Sequence, residues 1–376
     1  MTHPSTKIAF VAPKVYPVLV ESGSETFGGA EVALSLVARE LSESDSFDVQ
    51  VLVGDYGQDD VVRLGSITLN RALKSGGGFL GNAWRLLACL HRVDARICVQ
   101  RTLAIASAVL AIYCRVTRRK FVYWVAHDGE TDGKHPLYRN PVTSYLVRLM
   151  YRSASHVIVQ NSYEEQRLSE MVPGIQCTLI KKGIVLPEQQ MAEELPIDGI
   201  WVGRCDEWKN PEAFIRLARD NRDFRFVMVC PPAEGKAGYY ESVMAGTSEC
   251  TNLEILGRTA NREVLELMSR SKVFCMTSSQ EGDWPNVVLE AASLRRPVLS
   301  LAINYDGLLS EYEGGRFCNE DYSVFSKEFN SLMNDDESRT RMGEGAYRYV
   351  REVHDLHEQT TKLTAVLNGL AADVSR

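Results

Sequence analysis

Short apolar runs alternate with amphipathic stretches along most of the chain. The first run spans residues 8–12, and from Gly29 onward a helical face is formed by Ala30, Ala33, Leu34, Val37 and Leu41. Nine further strands are predicted at 49–53, 95–99, 121–126, 157–160, 200–202, 224–229, 253–256, 273–276 and 297–301. Apolar runs separated by helical periods are typical of parallel strands joined by crossover helices. The pattern predicts an α/β fold.

The strands form two series, which predicts two doubly wound Rossmann-like domains facing each other across a cleft. Residues 1–184 are predicted as the acceptor domain and 185–352 as the donor domain. The segment 183–198 combines two prolines with four acids and is predicted as the hinge. The chain after about residue 336 is predicted to be helical, with a terminal helix at 353–376 that packs back on the first domain. The loops 13–28 and 55–82 are predicted to meet the acceptor.

The composition is that of an ordinary globular protein, with 45% apolar and 24% charged residues. The nine cysteines include no C-x-x-C pair, which favours reduced thiols in a cytosolic protein. The start of the sequence lacks the pattern of a signal peptide. The longest nearly uncharged stretch, 103–114, is too short to cross a bilayer, which takes about 20 residues. We therefore expect a cytoplasmic protein.

Charge is shared unevenly between the two halves. Residues 1–184 hold 21 Lys and Arg against 17 Asp and Glu, whereas residues 185–376 hold 21 against 32. One interpretation is peripheral contact with an anionic membrane at the inner face, made by Arg115, Arg118, Arg119, Lys120, Arg148 and Arg152. The other is an ordinary solvated surface.

Two cations follow a predicted strand in the second half. Gly203 and Arg204 come directly after the strand ending at Val202, and Lys209 stands where the next helix begins. Glycine lets a ligand approach the backbone, and the two cations together can neutralise a diphosphate. A strand-to-helix turn with solvated charges is the alternative interpretation.

The segment SSQEGDWPNVVLEA, residues 278–291, leads from another strand into a helix whose first position is predicted at Pro285. Free N–H groups at a helix start bind phosphate oxygens. Glu290 can accept hydrogen bonds from ribose hydroxyls, and Glu281 from sugar hydroxyls. Alternatively, both are surface carboxylates.

In the first half, FGGAE at 27–31 and VAHD at 125–128 each follow a predicted strand. Gly28 and Gly29 allow a ligand close to the backbone, although glycine also serves any tight turn. His127 stands at the carboxyl end of its strand, where α/β sites lie, although a lone histidine is more often structural.

Together these segments resemble the retaining glycosyltransferases of family 4, which belong to group 1 of the glycosyl transferases and have the GT-B fold. The resemblance covers nearly the whole chain and rests on six segments in the family's order: FGGAE, VAHD, ASHVIVQNS (154–162), VGRCDEWKN (202–210), EILGRTANREVLELM (254–268) and EGDWPNVVLEA (281–291).

The resemblance implies a role for each matching residue. Arg204 and Lys209 would hold the donor diphosphate and Glu290 the ribose. Glu281 and His127 would lie beside the transferred sugar. The donor site would be completed by Gly28, Gly29, Gly257, Arg258, Asp283, Pro285 and Asn286.

Three positions depart from the family's pattern. Eight residues separate Glu281 from Glu290 where the family has seven, so either Glu281 or Asp283 faces the sugar. Arg295 stands where glycine is common, and Asp306 precedes Gly307 where Gly-Gly is frequent.

No D-x-D triplet occurs, so we expect neither a metal nor another cofactor. The expected partners are a nucleotide-sugar donor and a saccharide or lipid-linked acceptor, and not a nucleic acid. The expected activity is hexosyl transfer in surface polysaccharide or glycolipid synthesis. Alternatives are a non-catalytic sugar-nucleotide or glycan-binding protein and an epimerase of the same fold. A nicotinamide-dependent oxidoreductase ranks low because no G-x-G-x-x-G follows either opening strand.

Overall fold

The computed structural model describes residues 5–20, 29–187 and 194–374. The chain divides into two compact units. The first unit consists of Met1–Gly183 together with Leu356–Arg376, and the second unit is Ile184–Asp355. The chain thus leaves the first unit after residue 183 and returns to it at residue 356. The sequence-based boundaries lay after residues 184 and 352.

The described residues form fourteen strands and thirteen α-helices, numbered in chain order. The strands are β1 (Thr6–Val11), β2 (Phe47–Val53), β3 (Val61–Leu64), β4 (Ile67–Arg71), β5 (Ile97–Arg101), β6 (Lys120–Trp124), β7 (His156–Val159), β8 (Cys177–Leu179), β9 (Ile197–Val202), β10 (Phe226–Val229), β11 (Leu253–Leu256), β12 (Ser271–Met276), β13 (Val298–Ser300) and β14 (Gly315–Phe317). The helices are α1 (Tyr16–Leu19), α2 (Gly29–Ser42), α3 (Phe79–Val93), α4 (Ile105–Val116), α5 (Pro141–Ser153), α6 (Ser162–Met171), α7 (Pro211–Asp220), α8 (Ala237–Ala245), α9 (Asn261–Ser269), α10 (Asn286–Ser293), α11 (Tyr322–Asn334), α12 (Asp336–Val353) and α13 (Leu356–Val374).

The first unit is built on an eight-stranded sheet in the order β3-β4-β2-β1-β5-β6-β7-β8. Its pairs are parallel except β3 with β4. Helices α3 to α6 bury apolar side chains such as Leu110 and Val147 against one face. Helices α2 and α13 cover the other face, where Val37 and Leu367 join one core. Burial of apolar area on both faces is the main stabilising contribution in such a sandwich.

The second unit has a six-stranded parallel sheet in the order β11-β10-β9-β12-β13-β14. One core contains Ile200, Trp284 and Tyr349, and a second core contains Phe214, Phe226 and Phe329. Strands that are buried on both faces explain the continuous apolar runs in the sequence.

Each sheet reverses its winding direction once. In the first unit β2, β3 and β4 lie on one side of β1, and β5 to β8 lie on the other. In the second unit the reversal falls between β9 and β12. Ligands of open α/β sheets bind outside the carboxyl ends of strands at such reversals. The topology therefore marks the loops after β9 and β12 as a candidate site.

All ten predicted strands are present, nine with shifted ends and β11 with its predicted bounds, whereas β3, β4, β8 and β14 were missed. The prediction that residues 55–82 form a loop is wrong, because this segment contains the β3–β4 hairpin and the start of α3. The chain is helical after about residue 336, as predicted, in α12 and α13, and the helix that precedes them, α11, was not predicted. The missed strands lack the continuous apolar run of a strand buried on both faces, because β3, β8 and β14 lie at sheet edges and β4 carries Thr68, Asn70 and Arg71. No helix in the described part of the chain is long and apolar enough to cross a membrane.

Candidate functional site

The loop after β9 carries the two predicted cations of the second unit. Gly203 donates its N–H to the Val229 carbonyl, and a Cβ at residue 203 would come within 2.9 Å of the Trp201 ring. The chain then forms a 3-10 turn, Glu207–Lys209, which ends where Asn210 takes a left-handed φ of 49°. Helix α7 follows at once, so the sequence folds here as a short strand-to-helix turn that holds both cations.

Lys209 is the last residue of this 3-10 turn. Its Nζ is 2.5 Å from Oε1 of Glu281 and 4.1 Å from the centroid of the Trp208 ring. Burial lowers the pKa of Lys209, and the charge of Glu281 acts in the opposite direction. The nearby positive charge of Arg204 also lowers the pKa of Lys209. The Arg204 side chain itself is 56% exposed. The structure thus brings together Arg204, Lys209 and Glu281.

The loop after β12 is attached to the loop after β9 by several hydrogen bonds. The Thr277 hydroxyl donates a hydrogen bond to the Lys209 carbonyl at 2.8 Å and accepts a hydrogen bond from Trp201 Nε1–H at 2.9 Å. Ser279 donates its N–H to the Trp208 carbonyl. These bonds join the two strand ends that flank the reversal, so the position of Lys209 opposite Glu281 is fixed by backbone contacts.

Trp284 anchors the loop between Glu281 and Glu290, which is one residue longer than in the family. Trp284 is fully buried, donates Nε1–H to the Tyr305 carbonyl at 2.9 Å, and packs edge-on against the Tyr305 ring. Tyr305 in turn donates its hydroxyl to the Glu281 carbonyl at 2.6 Å. Asp283 accepts the Trp284 N–H at 2.8 Å. Glu281 therefore faces Lys209, whereas Asp283 bonds to the backbone of its own loop.

Helix α10 begins at Asn286, so the prediction that Pro285 is its first helical position is wrong by one residue. Pro285 is the N-cap, with an extended backbone at φ −60° and ψ 150°. No side chain caps this end, and the first turn contains no acid. The end thus keeps the positive partial charge of a helix start.

Glu290 lies on the second turn of α10. Its Oε1 accepts a hydrogen bond from Asn261 Nδ2 at 3.3 Å, while its Oε2 is buried without a hydrogen-bond partner among the described residues. Burial raises the pKa of Glu290, and the Asn261 hydrogen bond lowers it. A buried carboxylate oxygen with open acceptor capacity is suited to a ligand hydroxyl.

Gly257 and Arg258 directly follow β11, two strands away from β9 in the sheet. A Cβ at residue 257 would meet nothing within 4 Å, so packing inside the protein does not require the glycine. Arg258 is exposed.

In the first unit, His127 caps the 3-10 turn Asp128–Glu130. Its Nδ1 accepts the Gly129 N–H at 3.1 Å, which leaves Nε2 as the protonated nitrogen of the neutral ring. A Cβ at Gly129 would come within 3.0 Å of this ring. Gly29 is the exposed first residue of α2, and Gly28 lies outside the described residues.

The sequence reasoning missed Glu130, which holds the turn that carries His127. Glu130 is fully buried, and both of its carboxylate oxygens accept hydrogen bonds. Its Oε1 accepts the Leu103 N–H, and its Oε2 accepts the Ala126 N–H and the Tyr123 hydroxyl. Its Oε1 also lies 3.9 Å from His127 Nε2. An acid three residues after a histidine at a strand end was the available signal.

A second missed group lies at the ends of β5 and β7. Arg101 is buried, donates to Gln160 Oε1 at 2.9 Å and stacks on Trp124 at 4.6 Å. Glu164 is fully buried and accepts the Gln160 N–H at 2.6 Å. Burial raises the pKa of Glu164 to about 8. Arg101, Gln160 and Glu164 thus form a buried hydrogen-bonded network at the ends of β5 and β7.

The second unit matches a known protein family. Residues 188–349 match the family Glycosyl transferases group 1, and this segment covers almost all of the second unit. No curated protein matches the sequence. The match over residues 188–349 supports the predicted resemblance to group 1 of the glycosyl transferases.

Solved structures extend the likeness to both units. Sucrose-phosphate synthase from Thermosynechococcus elongatus is 13% identical, with a TM-score of 0.77 over 98% of this chain and 100% of that chain. Anabaena HepE, in complex with UDP-glucose, is 16% identical, with a TM-score of 0.72 over 96% and 99%. A glycosyltransferase from Rickettsia africae is 14% identical, with a TM-score of 0.72 over 98% and 99%. These likenesses confirm the predicted fold.

Proposed function

We propose that this protein is a retaining, metal-independent glycosyltransferase that moves a hexose from a nucleoside-diphosphate sugar to a saccharide or lipid-linked acceptor. The observation that carries the proposal is the grouping of Arg204, Lys209 and Glu281 at the reversal between β9 and β12. Synthesis of a surface polysaccharide or glycolipid is the expected setting.

Two cations of different kind suit a diphosphate. Arg204 is more than half exposed and can turn its planar fork toward phosphate oxygens, while Lys209 is held as a buried point charge. The open end of α10 adds oriented N–H groups. A diphosphate bound there would be neutralised by protein groups alone, which is why we expect no metal requirement.

The same groups would lower the barrier to transfer. When the glycosidic bond breaks, negative charge develops on the departing diphosphate, and fixed cations in a partly buried site stabilise that charge more than they stabilise the ground state. For His127 we propose a hydrogen bond from Nε2–H to a hydroxyl of the sugar, because Nδ1 is already occupied by Gly129. Glu281 would accept sugar hydroxyls, and Glu290 the ribose hydroxyls.

The donor assay is the direct test. Purified protein would be incubated with UDP-glucose first, because the HepE structure holds that molecule, and then with other nucleoside-diphosphate sugars. We expect release of the nucleoside diphosphate that rises when saccharide or lipid-linked acceptors are added. The anomeric configuration of the product, read by NMR, would match that of the donor. An inverted product would contradict the retaining mechanism.

The alternatives give different results in the same assay. An epimerase would convert the donor sugar without any acceptor. A non-catalytic binding protein would bind the donor, in calorimetry, and release nothing from it. If either result were obtained with every donor and acceptor tested, the proposed glycosyl transfer would be refuted.

A further inference from the structure

Helix α4 is apolar on the face that points away from its sheet. Its inner residues Ala108, Leu110, Ala111 and Cys114 are buried in the core. Its outer positions are Ile105, Val109, Ile112 and Val116, spaced as one helical stripe, and Val116 is 76% exposed. A helix that covers a sheet normally presents polar residues to water. The outer stripe of α4 therefore exposes apolar side chains that no other described element of the protein fully covers.

The helices beside α4 continue this apolar surface. Helix α4 packs against both α3 and α5. Leu80 and Trp84 on α3 are 81% and 71% exposed, and Val142 and Tyr145 on α5 are 68% and 62% exposed. Of the thirteen large hydrophobic residues exposed in the described part of the chain, eight lie on these three helices. Exposed apolar residues clustered on one layer mark an interaction surface.

The charged residues of α3, α4 and α5 are of one sign. Helices α3, α4 and α5 contain no Asp or Glu, and their five arginines are all exposed: Arg85, Arg92, Arg115, Arg148 and Arg152. The whole chain has a formal charge of −7, so the exclusion of acids from three adjacent helices is local. Helices α2 and α13, on the opposite face of the same sheet, carry Glu31, Glu40, Glu358 and Asp373.

We propose that the outer surface of α3, α4 and α5, which we call the α3–α5 surface, docks on an anionic lipid bilayer. Exposed Trp and Tyr side chains favour the membrane–water interface, aliphatic side chains enter its apolar edge, and arginines pair with lipid phosphates. The combination of cations with apolar residues and no acid is complementary to such a bilayer. This inference does not depend on the proposed transfer reaction.

The structure changes which cations take part. Arg119 donates to the Ala95 carbonyl and pairs with Asp94, and Lys120 lies 3.6 Å from Asp373. These two residues of the predicted basic run are thus engaged within the protein. Arg115, Arg148 and Arg152 remain on the α3–α5 surface, where Arg85 and Arg92 join them.

Vesicle flotation tests the proposal with the full chain. We expect binding to vesicles of phosphatidylcholine with about 40% phosphatidylglycerol to exceed binding to pure phosphatidylcholine by at least tenfold at low salt, and to weaken at high salt. Arg148→Glu combined with Arg152→Glu should lower binding at least tenfold, and Ile112→Ser combined with Val116→Ser should also lower it. Trp84 reports the position of contact, because brominated lipids should quench its emission.

Matched controls lie in the second unit. Arg222→Glu with Arg351→Glu changes two exposed arginines, and Val185→Ser with Phe317→Ser changes two exposed apolar residues. Both controls should bind vesicles like the wild type. In Trp84→Phe, the lipid-dependent quenching should disappear while binding persists.

Several outcomes would overturn the proposal. Equal binding to both vesicle types, no binding to either type, or losses in the controls as large as in the surface variants would each do so. A dimer that forms with rising concentration and is abolished by the surface variants, without vesicle binding, would show that the occupant is a second copy of this chain.

Discussion

Lys209 Nζ and Glu281 Oε1 lie 2.5 Å apart, and both side chains are largely buried. The residue proposed to hold the diphosphate is therefore paired, before any donor arrives, with the acid proposed to face the sugar. Burial disfavours the charged lysine, and Glu281 favours it. Glu281 thus favours the charged form of Lys209, and removing either residue leaves the other without its ion-pair partner.

The first prediction is that Lys209→Ala and Glu281→Ala have opposite effects on nucleoside-diphosphate binding. Loss of the lysine should weaken binding by about 1.5–3 kcal/mol, as for a charged hydrogen bond. Loss of Glu281 frees the lysine for phosphate, so affinity should stay equal or rise. Calorimetry with the nucleoside diphosphate measures both.

Lys236 supplies the control, because it also pairs with a loop acid, Glu207, at 2.8 Å, but is more exposed. Lys236→Ala should bind the nucleoside diphosphate like the wild type. Arg204→Ala should weaken binding like Lys209→Ala. Wild-type affinity in both Arg204→Ala and Lys209→Ala would refute the proposed diphosphate site.

The second prediction separates the two acids of the loop after β12. Glu281 faces Lys209, whereas Asp283 accepts a backbone N–H from Trp284. Glu281→Gln should abolish most transfer while nucleotide affinity remains. Asp283→Asn should keep measurable transfer and mainly lower thermal stability. Normal turnover in both variants would mean that no acid of this loop serves the donor sugar.

The third prediction concerns Glu290 and the ribose. Its Oε2 is buried without a partner in the described structure, so a ribose hydroxyl would satisfy it. The wild type should bind a nucleoside diphosphate more tightly than its 2′,3′-dideoxy form, and Glu290→Ala should remove most of that difference. Glu263→Ala, an exposed acid on α9, should preserve it. An unchanged preference in Glu290→Ala would place the ribose elsewhere.

The fourth prediction is that EDTA leaves transfer intact. Arg204, Lys209 and the start of α10 would supply the positive charge that a bridging metal supplies in other enzymes. Initial rates with and without EDTA should agree within error. Loss of activity that magnesium or manganese restores would show that a metal takes part.

Much of this fold was readable from the sequence because buried parallel strands leave long apolar runs. Strand β11 was predicted with its bounds, and β9 and β12 were placed within a few residues. The loops that follow these strands carry charged residues in a fixed order, which made Arg204, Lys209 and Glu281 visible. Their pairing was not visible, because the two loops are about seventy residues apart in the chain and meet only through the sheet order.

The departures from the family's pattern show what sequence alone could not explain. Arg295 has a φ of 57° and Asp306 a φ of 44°, so both occupy left-handed backbone where glycine is the unstrained choice. At residue 295 the arginine compensates by pairing with Glu344 and stacking on Tyr347. The left-handed backbone explains why glycine suits both positions, and the contacts of Arg295 offset the strain at residue 295. Buried acids such as Glu130 and Glu164 were missed because an acid near a strand end normally indicates an exposed loop.

Glu164 gives the protein a stability that depends on pH. Burial raises its pKa to about 8 in the folded chain, against an ordinary value of 4.5, and the charges of Asp128 and Glu130 act in the same direction. The Gln160 N–H, which bonds to the carboxylate, acts against them. Well below pH 4.5 the group is protonated in both the folded and the unfolded chain, so it contributes no pH dependence there.

The fifth prediction follows from this difference. Between about pH 4.5 and pH 8 the unfolded chain loses the Glu164 proton while the folded chain keeps it, so the free energy of unfolding falls as pH rises. Glu164→Gln stays neutral and should escape this loss. Its melting temperature should be close to that of the wild type near pH 5 and clearly higher than it near pH 8.5. Glu165→Gln, the exposed neighbour, should follow the wild type at both pH values. A Glu164→Gln variant that is equally destabilised at both pH values would show that Glu164 is ionised in the folded protein.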